Sequence, residues 1–493
     1  MALRRGLRQE FPSQTHTLVS HHILKWKVNL LAHNQRLVLH RKRSPIAPPI
    51  YHRHSRQQWR PRETPENMVP NGINRRPVWA EVSSGHLCAN FRLLRASMES
   101  QTRGFQAGES QMGSTAEVLA VVKADAYGHG AAVCAPLLAT AGARWLGVTS
   151  VEEGVRVREA CAETAADASP SILVMCGLWD GEAADLVEHS LTPVVWEAFH
   201  LDLLEAEAGR RGLKRGSLPV HVEIDTGMAR QGVAADHRLA SLLKRFTPDS
   251  ALRLEGVLTH FASAEVVDSR QNSAQMTILE RALTIVAEHG LQPLWIHAGS
   301  SSTMDAGIEL PHIAKLALAM GARPMARPGL ALYGYSLPLE SYGERTSPHR
   351  PKLRNDLQPV LTWKTRIVSL REIGAGSTIG YGGTFAARQP MRLALLPVGY
   401  ADGLRRELSC SDRKPGGWVL IGGRRAPIVG RVSMDLTIVD VSAIADAALG
   451  DEAVLIGQQE GESITADDHA RLAATIPYEI LCGISDRVPR VIV

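Results

Sequence analysis

From Arg75 onward, short apolar runs alternate with segments of helical spacing. RRPVWAEV (75–82) alternates apolar and polar positions and predicts a short strand. LCANFRLLRASM follows, with Leu87, Phe91, Leu94 and Met98 on one helical stripe. Residues 99–115 are rich in Ser, Gly and Gln and read as a loop. Eight β-like runs come next: 118–126, 145–150, 172–177, 192–196, 219–227, 252–261, 294–302 and 325–334. Most are separated by a helix's length of Ala, Leu, Glu and Arg. Near-continuous apolar strands that alternate with helices predict a parallel sheet covered by helices. Eight such units match a (β/α)8, TIM-like barrel in count and length. A doubly wound sheet would want a Gly-rich first turn, and no GxGxxG follows any run.

After Ser336 the pattern changes. Residues 337–356 hold Pro, Ser, Gly and charge and read as a linker. The remainder predicts a mainly β C-terminal domain over 357–493, with a hairpin at Gly422–Gly423. Only 464–475 looks helical there, with Thr465 as its N-cap. The expected division is a first strand at 75–83 joining the C-terminal domain, a barrel over 84–336, the linker, and the β domain.

Charge changes the picture at one end. The chain of 493 residues carries 55 Lys/Arg and 50 Asp/Glu. Residues 1–67 hold 13 of the basic residues against Glu10, Glu63 and Glu66, leaving 42 basic and 47 acidic residues for the body. The net positive charge therefore belongs to a basic N-terminal extension (1–74), which lacks alternation or a sustained helical stripe. It is expected to be disordered, or translated upstream sequence with Met68 the true start. A nucleic-acid-binding arm or a transit segment are the functional alternatives. The first would show as salt-dependent DNA binding lost on deleting 1–67. No nucleic-acid partner is expected. Apolar residues at 44% and charged residues at 21% exclude a mainly disordered or fibrous chain. No stretch approaches 18 uninterrupted apolar residues, so no membrane span is expected. Six dispersed cysteines without a CxxC imply neither a metal site nor a disulfide framework, and a cytoplasmic setting fits them.

Barrel chemistry sits at the carboxyl ends of the strands. Lys123 lies at the end of the first run, in VVKADAYGHG. A lysine desolvated there is a candidate nucleophile for a Schiff base; a strand-end lysine pointing to water is the equal alternative. Ser300–Ser302 and Gly329 follow the seventh and eighth runs, where barrel enzymes commonly bind phosphate. A reactive lysine opposite a phosphate cradle suggests pyridoxal phosphate.

From Arg76 to Arg490 the chain also resembles the alanine racemases. The matching stretches are RPVWAEV, AVVKADAYGHG, DTGMAR, THFA, ARPGLALYG, TIGYGGTF, LPVGYADG, GRVSMD and YEILCGISDRVPR, in the family order. The resemblance implies a pyridoxal-phosphate enzyme of fold type III that interconverts L- and D-alanine and supplies D-alanine for peptidoglycan. It also implies a homodimer whose active sites are each completed by the partner's β domain. Lys123 matches the cofactor-bound lysine that serves as one acid/base, and Tyr381 the second base on the opposite face. A free tyrosine has a pKa of about 10, so a tyrosine base needs cationic or hydrogen-bonding neighbours. His260 matches the residue that bonds this tyrosine. Arg327 matches the arginine facing the pyridine nitrogen, where many pyridoxal enzymes place a carboxylate. Tyr127, Ser301, Gly329, Leu330 and Tyr478 align with the phosphate contacts. Arg230 aligns with the arginine near the phenolic oxygen and the substrate carboxylate. Met434 would offer a backbone N–H to that carboxylate, and Tyr400 would line the entrance across the interface. Taken singly, the tyrosines read as ordinary packed or interface aromatics and His260 as a strand-end histidine. One departure stands out: many family members carry a carbamylated lysine where Glu223 lies, and Glu223 is expected to supply that charge to Arg230.

A broader amino-acid racemase, for example one using serine, is the alternative within enzymes. A non-catalytic pyridoxal-phosphate protein is the alternative outside them. Such proteins normally lack the β domain and the tyrosine, so Tyr381 and residues 357–493 argue against it.

Overall fold

The computed structural model describes residues 76–103, 116–163, 169–341 and 349–493. The basic extension and most of the 99–115 loop lie outside them.

Eight parallel strands close on themselves: Glu117–Val121, Trp145–Val148, Ser171–Val174, Leu191–Val195, Leu218–Asp225, Leu252–Leu258, Trp295–Gly299 and Arg323–Ala326. The last pairs back to the first, Met325 opposite Glu117. This is the (β/α)8 barrel expected from the apolar runs. Its strands are buried almost throughout, because side chains of one face fill the barrel and those of the other meet helices. The amphipathic stripe forms helix Ser84–Thr102, with Leu87, Phe91, Leu94 and Met98 all buried.

The C-terminal part is a sheet in the order Arg424–Pro427, Trp418–Ile421, Glu452–Gln459, Leu361–Arg366, Val78–Val82 and Arg490–Ile492. Val78–Val82 pairs antiparallel with Leu361–Arg366 and parallel with Arg490–Ile492. A second sheet joins Ser369–Ile373, Met391–Leu396 and Thr437–Asp440. The Gly422–Gly423 hairpin forms with both glycines at positive φ, as its two-residue loop requires. Helix Ala466–Ala473 is capped by Thr465.

Two expectations are corrected. The first and eighth runs end early, at Val121 and Ala326; the first passes into the turn at Lys123–Gly128, and the eighth reaches the helical turn Leu330–Tyr333 after Arg327, Pro328 and Gly329. The helix at 466–473 has a companion, Pro477–Cys482, too short for periodicity to reveal. Residues 349–356, in the stretch read as a linker, pack on the barrel. Buried Asp305 accepts N–H bonds from Leu353 and Arg354 (2.8 and 3.0 Å), and Leu353 is itself buried. Asn90 fixes the next join through Leu332 O (3.0 Å) and Gln358 O (2.8 Å).

Candidate active site

Lys123 opens a turn that departs from ordinary backbone geometry. Ala124, Asp125, Ala126 and Tyr127 all sit near φ +50°, one turn of left-handed helix built from residues with side chains. Each such residue costs about 1–2 kcal/mol. Strain of this kind persists only where surrounding contacts impose it. Here Glu153 accepts the Ala124 N–H (2.8 Å) and Asp125 the Ala131 N–H (2.7 Å). From the far end of the chain, Arg490 donates twice to Gly128 O (2.9 and 2.7 Å). Helix Pro477–Cys482 packs so tightly on the same turn that a Cβ on Gly128 would stand 2.2 Å from Leu481 O. The β domain thus holds the lysine's turn in place, with Tyr478 and Cys482 on the helix that does it.

A cavity of about 550 Å³ opens at the carboxyl ends of the strands. Lys123, Tyr127, Arg230, His260, Ser301, Arg327, Gly329 and Tyr478 all lie on its wall. Leu330 is buried just behind Gly329 and opens the helical turn Leu330–Tyr333. Its N–H, first in that turn, has no partner within it. Ser301 Oγ accepts N–H bonds from Gly329 and Ala331, both 3.1 Å, which leaves the hydroxyl proton to donate elsewhere. Gly329 is the close-approach residue: a Cβ there would stand 2.0 Å from Tyr127 Oη. Burial pushes the Tyr478 hydroxyl up to about 12 and Tyr127 higher, so both are neutral O–H donors. A stretch of wall carrying N–H and O–H donors fits a phosphate.

Arg327 lies on the same cavity wall, at the end of the eighth strand, which pairs with the first, and is buried. Its Nη1 donates to His297 O (2.8 Å) and faces His297 Nδ1 (3.2 Å). Its Nη2 donates to Thr259 O (2.7 Å) and stands 3.4 Å from His260 Nδ1. Burial pulls its pKa down to about 10, against the nearby Glu223, so the guanidinium stays charged at neutrality. His260 is held down to about 3, by burial first and then by Arg327, and is therefore a neutral imidazole. Both groups suit a donor-rich, uncharged-acceptor environment around a ring nitrogen.

Glu223 makes no direct contact with Arg230, although the Arg230 charge acts on it. It is buried, and its hydrogen-bond partner is Gln231, which also donates to Met175 O (3.0 Å). Among the described residues Arg230 forms no ion pair. Burial raises the Glu223 pKa, with Gln231 opposing. His297 and Gln231 were not singled out in the sequence. A histidine in the apolar strand WIHAG was the available signal for the first; the second had none.

Tyr381, Tyr400 and Met434 are absent from this cavity. They are exposed on the β domain, Tyr381 at 71%. They share one surface: Tyr400 N–H bonds Ser433 O (3.0 Å) and Ala401 N–H bonds Met434 O (3.0 Å). The Gly380 turn before Tyr381 packs on Arg431 in the same stretch.

A lysine and a charged arginine at the carboxyl ends of two paired barrel strands, with a donor-lined notch beside them, define a barrel-plus-β-domain enzyme with an anion-holding active site. The comparisons make the class specific. Residues 103–337 match the family model for the alanine racemase N-terminal domain and residues 360–492 the model for its C-terminal domain. The alanine racemase of Halothermothrix orenii is 38% identical over 421 residues, 84% of this chain and 96% of the relative. That of Syntrophobacter fumaroxidans is 37% identical over 380 residues, 77% and 92%. Among solved structures, alanine racemase from Streptomyces coelicolor aligns with a TM-score of 0.71 at 29% identity, over 85% of this chain and 98% of its own. That from Bartonella henselae, with covalently bound pyridoxal phosphate, aligns at 0.64 and 25% identity, over 85% and 99%. The chain belongs to the alanine racemase family, and its activity is the interconversion of L- and D-alanine.

Proposed function

We propose that this chain racemises alanine with pyridoxal phosphate, using Lys123 and the Tyr381 of a second copy as bases on opposite faces of the substrate. The observation that carries the reading is the division of the machinery. The cavity holds Lys123, Arg327 and Ser301, while Tyr381, Tyr400 and Met434 face outward on the β domain. A racemase must remove a proton from one face of the α-carbon and deliver one to the other. A single cavity wall offers one face.

Lys123 would hold the cofactor covalently. Tyr127, Ser301, Tyr478 and the N–H of Leu330 would hold its phosphate, with Gly329 allowing the close approach. The bound cofactor supplies an electron-withdrawing ring that acidifies the substrate's α-hydrogen. Arg327, a permanent donor at neutrality, would face the ring nitrogen and disfavour its protonation, which limits the ring's pull and favours quick return of the proton. Arg230 would orient the substrate carboxylate, with Met434 of the partner subunit donating a backbone N–H. His260, neutral and beside Arg327, would bond the incoming tyrosine; the cationic cluster of Arg327, Arg230 and Lys123 favours a phenolate there. Tyr400 of the partner subunit would narrow the entrance. Glu223, bonded to Gln231, would act on Arg230 as a nearby charge and not as a direct partner. D-alanine for peptidoglycan is the use this reading assigns, and a cytoplasmic setting goes with it.

The test is a chiral assay of D-alanine formed from L-alanine and pyridoxal phosphate. The parent protein should approach an equal mixture. Lys123→Ala and Tyr381→Phe should each lose at least about 100-fold in kcat. Unfolded and refolded together, the two variants should regain activity. Half of the random dimers would be hybrids with one intact site each, so about a quarter of parental activity is expected. No recovery on mixing would sink the shared site; no D-alanine from the parent would sink the reaction.

A further inference from the structure

The barrel floor carries a line of buried polar side chains that the mechanism above does not use. Behind Arg327, His297 Nε2 stands 2.9 Å from His221 Nδ1. Beyond it, His221 Nε2 makes no hydrogen bond, and Glu255 Oε2 stands 3.4 Å from it, within ion-pair distance. Both imidazoles have no exposure, and Glu255 is itself largely buried, braced at its other oxygen by Arg253 (3.1 Å). The room is built in. His221 pairs with Gly256 on the neighbouring strand, and a Cβ on Gly256 would stand 2.5 Å from the His221 ring. Any other residue at 256 would expel the imidazole.

The order of donors along this line is determined. Arg327 can only donate, so His297 Nδ1 must be the bare nitrogen and Nε2 must carry the proton. That proton points at His221 Nδ1, which must then accept. The remaining His221 proton sits on Nε2 and faces the carboxylate. Every donor points from the arginine toward Glu255. Burial and the neighbouring guanidinium hold both histidines below their ordinary range, so neither competes as a second buried cation. Arg327 meanwhile has two carbonyls and two imidazoles as partners. Among the described residues no carboxylate lies within ion-pair distance of it. A buried guanidinium without a direct counter-ion is costly unless its acceptors are strengthened. A carboxylate at the end of two aligned imidazoles does that, as an orienting acid does for one imidazole in a hydrolase triad.

We propose that Glu255, acting through His221 and His297, is a positioning residue for Arg327: it sets the tautomer of both histidines and thereby the plane in which the guanidinium meets the cofactor ring. The inference rests on Arg327 facing that ring. Glu255 touches neither substrate nor cofactor, and its effect is transmitted from the opposite end of the barrel.

The test has two arms. The first uses the parent protein before and after loading with pyridoxal phosphate, labelled with 15N in its histidines. Two imidazoles with bare Nδ1 and protonated Nε2, unchanged from pH 5.5 to 8.5, are expected; a Nδ1–H tautomer or an imidazolium at His297 would overturn the proposal. This arm needs neither a variant nor turnover. The second compares the Glu255→Gln and Glu255→Leu holoenzymes with the parent. The expected result is kcat down about tenfold with KM within twofold, the larger loss in the leucine variant, and a shifted cofactor absorbance band. Rates and absorbance within twofold of the parent in both variants would equally overturn it. Racemisation by the parent, measured alongside, separates failure here from failure of the assigned reaction.

Discussion

At the scale of single residues, the site depends on spaces as much as on side chains. Gly329 sits under the Tyr127 hydroxyl, where a methyl group would overlap it at 2.0 Å. Its φ is negative, so no left-handed backbone opposes alanine, and the nearest atoms a methyl group would meet all belong to the tyrosine. Gly329→Ala should therefore fold, push the phenol out of the notch and weaken pyridoxal phosphate binding by at least about tenfold. Absorbance titration of the apoprotein checks this, and unchanged affinity would show that Tyr127 is not a phosphate contact. Such spaces were only partly legible in the sequence. Lys123 and the serine run were visible because a lysine or a polar triplet interrupts an apolar strand. His297 and His221 also interrupt apolar strands, yet nothing in the sequence shows that the two rings stand 2.9 Å apart. Distance between strands is a property of barrel register, which one chain's periodicity does not contain.

At the scale of elements, the eight strands were readable because parallel strands buried on both faces leave continuous apolar runs. Their ends were not. The first run continues through KADAYG, which looks like more strand or a short helix, whereas the structure places a left-handed turn there. Propensity would not choose that geometry for Ala–Asp–Ala–Tyr. Tertiary contacts impose it, and the decisive one comes from Arg490, more than 360 residues away, whose guanidinium also gathers Ile484, Ser485 and Val488 carbonyls. Arg490→Ala would leave these carbonyls without their donor and release the turn. A loss of about 3 kcal/mol in unfolding free energy is expected. Cofactor affinity should fall with it, since Lys123 begins the released turn. Denaturant melts and the same absorbance titration measure both. A variant that melts like the parent would mean that Glu153 and Asp125 suffice to hold the turn. The short helix Pro477–Cys482 was missed for a related reason: six residues give less than two turns of periodicity, and its position on the turn, not its pattern, makes it matter.

At the scale of the whole molecule, the folded chain keeps an unusual number of histidines neutral. His129, His200 and His469 are each held down to about 4, His260 to about 3, and His221 and His297 also lie below the ordinary value; burial is the first cause in all six. The unfolded chain would protonate them near pH 6.5. Between that pH and about 4 the unfolded state therefore binds protons that the folded state refuses, and stability falls as pH falls. Each such histidine contributes at most about 1.4 kcal/mol per pH unit in that window. Buried Glu223 and the partly buried Glu117 and Glu309 work the other way, because desolvation raises their pKa and the folded state takes up their protons first. They offset part of the histidine effect as pH falls, and with six histidines against three carboxyls the net slope from 6.5 to 5 still follows the histidines. The midpoint of urea unfolding should drop steeply across that interval and be nearly flat from 7 to 8.5. Replacing His469, which lies in the β domain away from the cavity, by glutamine should make the drop shallower, because one of the six refused protons disappears from the balance. An equal slope in that variant would mean that His469 is protonated in the folded protein, and that the acid sensitivity belongs to the barrel histidines alone.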